Sequence, residues 1–394
     1  MFDVCIIGGG PAGLIAAETA VDKGLSVAIF DAKPTYGRKF LMAGKSGLNI
    51  TKNENKNKFL NNYFESEKWL TPIINAFDNE AVMNWAQDLG EEIFIGSSGR
   101  VFPKSMKASP LLRSWLKRLT NKGVNFYTNW KWIGWRDGLA VFDTNEGEKQ
   151  IKSKTTILSM GGASWSKLGS DGKWMNILTK HGIEITAFKP SNMGFNIPWS
   201  RHMKPFFGQP IKSVRISSGH SSSINEFVIS KNGLEGSGIY AVSKFMRDGN
   251  ELIIDLLPNT KIETLIKREK TLPKKASRGT FIRKVLRLNK EKTALFNEFS
   301  QNVSKEAISL TAKNLLISHN GPHPINEAIS TAGGISKNAL NKDLMIKSMP
   351  GIFCAGEMLD WEAPTGGYLI NACLATGTWA GNGAAKYIKT SNNL

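Results

Sequence analysis

The stretch that most constrains this chain is its beginning, where residues 2–33 read FDVCIIGGGPAGLIAAETAVDKGLSVAIFDAK. An apolar run, a glycine turn, a run of small and apolar residues and a second apolar run predict strand, helix and strand. That is one βαβ unit of an α/β fold. Gly8, Gly10 and Gly13 occupy the three glycine positions of G-x-G-x-x-G. The first permits a tight turn, the second lets backbone approach a pyrophosphate, and the third lets helix pack closely on strand. Pro11 and Ala12 lie inside the motif, so the helix they open points its N-terminus at the phosphates. Asp31 closes the second strand 18 residues after Gly13, followed by Ala32 and Lys33. A carboxylate there accepts hydrogen bonds from the ribose hydroxyls of an adenosine.

Later segments select among dinucleotides. A nicotinamide dehydrogenase continues directly into a second half-sheet, whereas Thr35–Thr51 (TYGRKFLMAGKSGLNIT) is long, basic and Gly-rich. Lys45, Ser46 and Asn49, with Gly44, lie in what suits a cradle for a larger cofactor. Thr155–Gly162 (TTILSMGG) predicts a strand ending in the paired Gly161 and Gly162, and Pro350–Asp360 (PGIFCAGEMLD) one ending in Gly356-Glu357. Asn371–Ile388 predicts a small-residue helix whose N-terminus would lie at the isoalloxazine ring of FAD. No second glycine motif in a βαβ setting follows, because Gly233, Gly236 and Gly238 in NGLEGSGIY lack one. NAD(P)H is therefore expected as a transient electron donor, without a domain of its own.

A chain of 394 residues, 41% hydrophobic and 21% charged, has room for two or three ordered domains. The expected architecture is a Rossmann-like FAD-binding domain of the glutathione-reductase type, over 1–189 and 326–394. It is interrupted by an α+β substrate domain over 190–325. That insert divides into a strand-rich part (190–258, with Ser213–Ile216, Glu226–Ser230 and Glu251–Leu257 as strands) and a helical basic part (259–313, helical from Thr260 to about Lys313). The Asn/Lys-rich Thr51–Asn62 reads as a solvated loop. Cys5, Cys354 and Cys373 are too dispersed for a disulfide framework, and prolines keep His319 and His323 (HNGPHP) from forming a helical metal pair. No metal is expected. No window approaches the roughly 18 apolar residues of a membrane span, and a cytoplasmic location is the expectation.

With those residues in hand, the chain resembles the HI0933-like family of flavoproteins in the two-dinucleotide-binding superfamily. The matching stretches are Ile6–Gly13, Gly37–Thr51, Gly99–Ser109, Gly233–Tyr240, Ser330–Ser336 and Pro350–Gly377. The resemblance implies that Gly8, Gly10, Gly13, Asp31, Arg38, Lys39, Gly162, Gly356, Glu357, Gly367, Tyr368 and Asn371 fall where FAD is held, with Gly366 beside them. It further implies flavin-dependent reduction of activated C=C bonds, in a uracil of ribosomal RNA or in unsaturated steroid intermediates. Where the main branch has G-G-G-R-C-N, this chain has Gly44–Asn49 (GKSGLN), which resembles a separate subfamily.

Candidates for chemistry beyond the cofactor are few. Lys45, Asp360 and Tyr368 are the residues placed to donate a proton. Arg100 in GRVFP would anchor an anionic substrate. Trp130, Trp132 and Trp135 could stack on bases, while Trp130 and Trp132 at i,i+2 suit one face of a strand meander packed over the adenosine. The net charge of +18 favours acidic partners such as RNA, and from Lys261 to Lys292 twelve Lys or Arg face three Glu, a local excess of +9. Lys274, Lys275, Arg278, Arg283 and Lys284 are the phosphate-contact candidates within it. The expected activity is an FAD-dependent, NAD(P)H-linked reductase of an activated C=C bond, with uridine in ribosomal or transfer RNA as substrate. The alternatives are a small-molecule flavin reductase or oxidase, and a non-catalytic flavin-binding RNA or assembly factor.

Overall fold

A computed structural model describes residues 1–44, 47–273 and 275–391. Two compact units emerge, Met1–Lys189 with Ser330–Leu394, and Pro190–Ile329.

The first unit is built on a five-stranded parallel sheet in the order Ile352–Cys354, Ser153–Leu158, Phe2–Ile7, Val27–Asp31, Asn125–Thr128. The fold is an α/β, Rossmann-like parallel sheet, as the opening residues predict. Val4, Cys5, Ile6 and Ile29 are fully buried, which is why these strands read as unbroken apolar runs rather than alternating ones. Helix Pro11–Val21 follows the first strand and packs against the long C-terminal helix Tyr368–Ser391. Small residues set that spacing: a Cβ on Gly377 would lie 2.3 Å from the Ala12 carbonyl oxygen, and one on Gly381 2.9 Å from that of Ala16. The antiparallel meander Lys131–Arg136, Leu139–Thr144, Gly147–Ile151 buries Trp132, and Trp130 leans on Phe30 at 5.3 Å. A smaller antiparallel sheet joins Thr51–Lys52, Arg100–Pro103 and Ile93–Ile95.

The second unit holds a six-stranded antiparallel sheet ordered Phe195–Asn196, Gly233–Glu235, Ser221–Ile229, Pro210–Ser218, Leu252–Asp255, Leu315–Ile317. Its own core includes Phe227, Ile254, Leu265 and Phe296.

Four local expectations are corrected. Thr51–Asn62 is ordered: Thr51–Lys52 is a strand, and Asn55 caps helix Lys56–Leu60, whose Phe59 and Leu60 are buried. The strand predicted to reach Gly162 stops at Leu158, where Ser159 turns its hydroxyl back to donate to the Gly8 carbonyl at 2.8 Å. That predicted over Pro350–Asp360 is limited to Ile352–Cys354 and followed by a 3₁₀ turn at Gly356–Met358. Among the described residues, the stretch from Thr260 to Lys313 is not one helix but four α-helices, Ile262–Lys270, Arg278–Phe281 running into a π turn, Lys290–Phe299 and Ile308–Lys313. Pro273 and the left-handed Arg287 (φ 56°) separate the first three. Among the described residues no helix is long and apolar enough to cross a membrane. Cys5, Cys354 and Cys373 are free thiols, the first two buried.

Candidate dinucleotide site

The glycine turn divides its labour among its residues. Gly8 takes φ +107°, so the chain leaves the first strand in a conformation that disfavours a side chain. A Cβ on Gly13 would sit 2.0 Å from the Gly8 carbonyl oxygen and 2.6 Å from Ser159 Oγ, so only glycine lets helix and strand approach this closely. A Cβ on Gly10 meets no atom within 4 Å. Gly10 is the N-cap of helix Pro11–Val21 and no side chain caps it. The helix therefore presents bare backbone and the positive end of its dipole. Asp31 stands beside the turn: Oδ2 accepts from Gly9 N–H and Oδ1 from Lys33 N–H, both at 2.8 Å. Burial pushes its carboxyl pKa up, against the pull of those two amides and of Lys33 and Arg38. Each oxygen keeps a lone pair for a further donor. Ala32 is exposed and Lys33 half-buried.

A second wall comes from helix Arg38–Ala43 and the chain near Gly356. Arg38 donates from Nη1 to Thr35 Oγ1 at 3.2 Å, while its Nε is buried with no hydrogen-bond partner among the described residues. Lys39 Nζ donates to Ser164 Oγ at 2.6 Å and to Glu357 Oε2 at 2.8 Å. Glu357 Oε1 accepts from Thr331 N–H at 2.9 Å, and its Oε2 accepts a long bond from Gly162 N–H at 3.4 Å. Ser164 and Thr331, absent from the sequence candidates, thus complete this junction. Thr331 belongs to the quoted Ser330–Ser336 stretch, which was its one signal. The Gly161 carbonyl accepts from Trp174 Nε1 at 2.8 Å, and Gly356 N–H donates to Thr376 Oγ1 at 2.9 Å. Burial and the Glu357 carboxylate push the nearby Cys373 thiol up to about 12, so it stays protonated.

The third wall is formed by the Gly366–Asn371 segment against Thr51. A Cβ on Gly367 would lie 2.4 Å from the Thr51 carbonyl carbon. Asn371 spends its amide on the scaffold, Oδ1 accepting from Thr51 Oγ1 at 2.7 Å and Nδ2 donating to the Phe77 carbonyl at 3.1 Å. Asn49 Nδ2 donates to the Thr51 and Val101 carbonyls at 2.8 and 3.2 Å, and its Oδ1 is buried without a hydrogen-bond partner among the described residues. Tyr368 donates its phenol proton to Glu54 Oε1 and accepts from Lys52 Nζ at 3.0 Å. Burial first, and Glu54 next, push that phenol far above its ordinary pKa. Gly366 borders Arg100, whose Nε is 3.7 Å from where a Cβ would stand, and Gly44 packs on Ala108. Asp360 lies elsewhere in role: its Oδ2 accepts from Thr186 Oγ1 at 2.7 Å and clips two segments together. Lys45, Ser46 and Lys274 lie outside the described residues.

In the second unit, Lys275, Arg283 and Lys284 are exposed. Arg278 is a correction, for its guanidinium turns inward. It donates to the Val303 carbonyl at 3.1 Å and to the Ser300 carbonyl and hydroxyl at 2.8 and 2.6 Å, over the Phe296 ring. These helix ends need donors more than solvent needs the charge. Among the described residues no group of three or more His, Cys, Asp or Glu is placed to hold a metal.

Comparison with known proteins agrees in extent with this architecture. The family model described as HI0933-like protein Rossmann domain matches residues 2–383. A 3-dehydro-bile acid delta(4,6)-reductase of Clostridium scindens is 24% identical, over 97% of this chain and 98% of that protein. A ribosomal RNA dihydrouridine synthase of Escherichia coli is 22% identical, over 93% of this chain and 94% of that one. Among solved structures, the open conformation of a flavocytochrome c3 fumarate reductase superposes with a TM-score of 0.54 at 17% identity, covering 98% of this chain and 78% of that chain.

Proposed function

Because the chain belongs to the HI0933-like Rossmann-domain family, we propose that it is an FAD-dependent oxidoreductase that uses NAD(P)H to reduce the activated C=C bond of a uridine in RNA. In balance, NAD(P)H and one proton are consumed, two hydrogens are added across the C5–C6 bond, and NAD(P)⁺ and dihydrouridine leave. The observation that best supports a dinucleotide larger than a nicotinamide fingerprint needs is the Lys39–Glu357 contact at 2.8 Å. It joins the cradle after the glycine turn to the returning C-terminal segment, making one path from residues far apart in sequence.

The residues present fit the cofactor. The helix at Gly10, which no side chain caps, and the Arg38 Nε, which no described residue pairs, suit a pyrophosphate, and Asp31 suits ribose hydroxyls. The Asn49 Oδ1, which no described residue pairs, suits a donor on the ring or its ribityl chain. Bound there, FAD would supply a hydride carrier that accepts from nicotinamide and gives to an electron-poor carbon. The chain's own part is charge and position: Glu357 fixes the Lys39 ammonium, and Thr331 and Ser164 fix both.

RNA as the substrate class is supported by the relative named for ribosomal RNA and by the exposed Lys275, Arg283 and Lys284 on a chain of net charge +18. A second reading, a small-molecule C=C reductase, is supported by the bile acid reductase relative of nearly equal length. Mapping dihydrouridine across ribosomal and transfer RNA in a deletion strain and its complement separates them. The RNA reading expects at least one uridine left unreduced in the deletion and restored by the gene. Identical maps would transfer the activity to the small-molecule reading.

A further inference from the structure

The small sheet beside Tyr368 carries a feature that the cofactor does not require. Its register sets Phe94 opposite Phe102 and Lys52 opposite Arg100. With strand alternation, Arg100 and Phe102 share one face, while Val101 between them is fully buried on the other. On the open face Phe94 and Phe102 stack, ring centroids 5.5 Å apart and planes 22° from parallel. Phe94 remains 39% exposed, and Met106 beside the strand end 37%. Arg100 is half-buried, and none of the described residues forms a hydrogen bond or ion pair with its guanidinium. Lys52, by contrast, is held by Glu54 at 3.0 Å and by the Tyr368 hydroxyl at 3.0 Å.

The exposed Phe94 ring, stacked on Phe102 and next in line to the Arg100 guanidinium, matches one chemistry well. Bases stack on aromatic side chains whatever their identity, and a phosphodiester satisfies an Arg fork. A-form duplex hides its base faces, so the match is to unpaired nucleotides. The local charge agrees: Lys104 is neutralised by Glu92, while Arg100 and the exposed Lys107 are left in excess. We propose that this face, Phe94 and Phe102 as stacking platform and Arg100 as phosphate clamp, binds single-stranded RNA next to the nucleotide that reacts. The proposal rests on the RNA reading above and assigns it a surface in the first unit.

The test uses full-length, flavin-loaded protein and fluorescein-labelled oligouridine, with an RNA duplex of equal length as control, read by anisotropy from about 50 to 200 mM salt. Phe94→Ala is expected to weaken oligouridine binding about tenfold and leave duplex binding unchanged, while Phe94→Trp keeps wild-type affinity. Arg100→Gln is expected to weaken it and to flatten the slope of log K against log salt by about 0.7. Flavin content and bleaching by NAD(P)H should match wild type in Phe94→Ala and Phe94→Trp. Oligouridine bound by wild type and equally by Phe94→Ala and Arg100→Gln would overturn this surface while sparing the RNA reading. No oligouridine binding by wild type would overturn both and leave the flavin reductase standing.

Discussion

At the scale of residues, three glycines that look equivalent in the motif do different work. Gly13 has a packing reason, because any Cβ there collides with the Gly8 carbonyl, whereas Gly10 faces open space. Gly13→Ala should therefore destabilise the first unit by about 1–3 kcal/mol or more, visible as a lower melting temperature of the apoprotein. Gly10→Val should melt within a few degrees of wild type and yet bind no FAD, because its side chain fills the pyrophosphate's approach. Loss of folding in Gly10→Val, or normal FAD in it, would contradict that division. Glu357→Ala removes the acceptor from both Thr331 N–H and Lys39. A cost of about 1–3 kcal/mol is expected by denaturant melt, with Lys39→Ala adding little on top of it. The glycine turn and the place of Asp31 at the end of the second strand were legible because local spacing sets them. The Lys39–Glu357 partnership was not, since nothing in a linear pattern pairs residues 318 apart.

At the scale of elements, sequence counts charges without their direction. Twelve cations from Lys261 to Lys292 read as one basic surface, yet Arg268 donates to the Val285 carbonyl at 2.9 Å, Arg278 to Ser300 and Val303, and Lys292 to Ser213 and Leu256. Burial lowers the Lys292 pKa as it turns inward. The stretch therefore splits into structural cations and exposed ones. Arg278→Gln should lower the stability of the second unit by about 1–3 kcal/mol, because buried carbonyls lose charged donors. Replacing Lys275, Arg283 and Lys284 together by Gln should leave the melt unchanged and flatten the salt slope of RNA binding by about 0.7–0.9 per lost contact. An unchanged slope would make those three solvated surface. Thr51–Asn62 failed in the opposite sense: polar composition suggested a loop, while buried Phe59 and Leu60 anchor a five-residue helix too short to show periodicity.

At the scale of the whole molecule, the parallel sheet was legible because strands buried on both faces leave unbroken apolar runs. Its order was not, because the Ile352–Cys354 strand joins beside Ser153–Leu158 only in three dimensions. That return is what brings Gly356–Asn371 against Lys39 and Thr51, the arrangement on which the proposed dinucleotide path rests. The path predicts a cofactor that is FAD, non-covalent, and one per chain, with electrons entering from NAD(P)H. The most direct measurement is heat denaturation of purified wild-type protein and Gly10→Val, with the released flavin separated and quantified against protein. Wild type should release FAD at about one per chain, all of it soluble, and folded Gly10→Val none. FMN in place of FAD, flavin that stays with the precipitated chain, or equal FAD in both proteins would contradict the account.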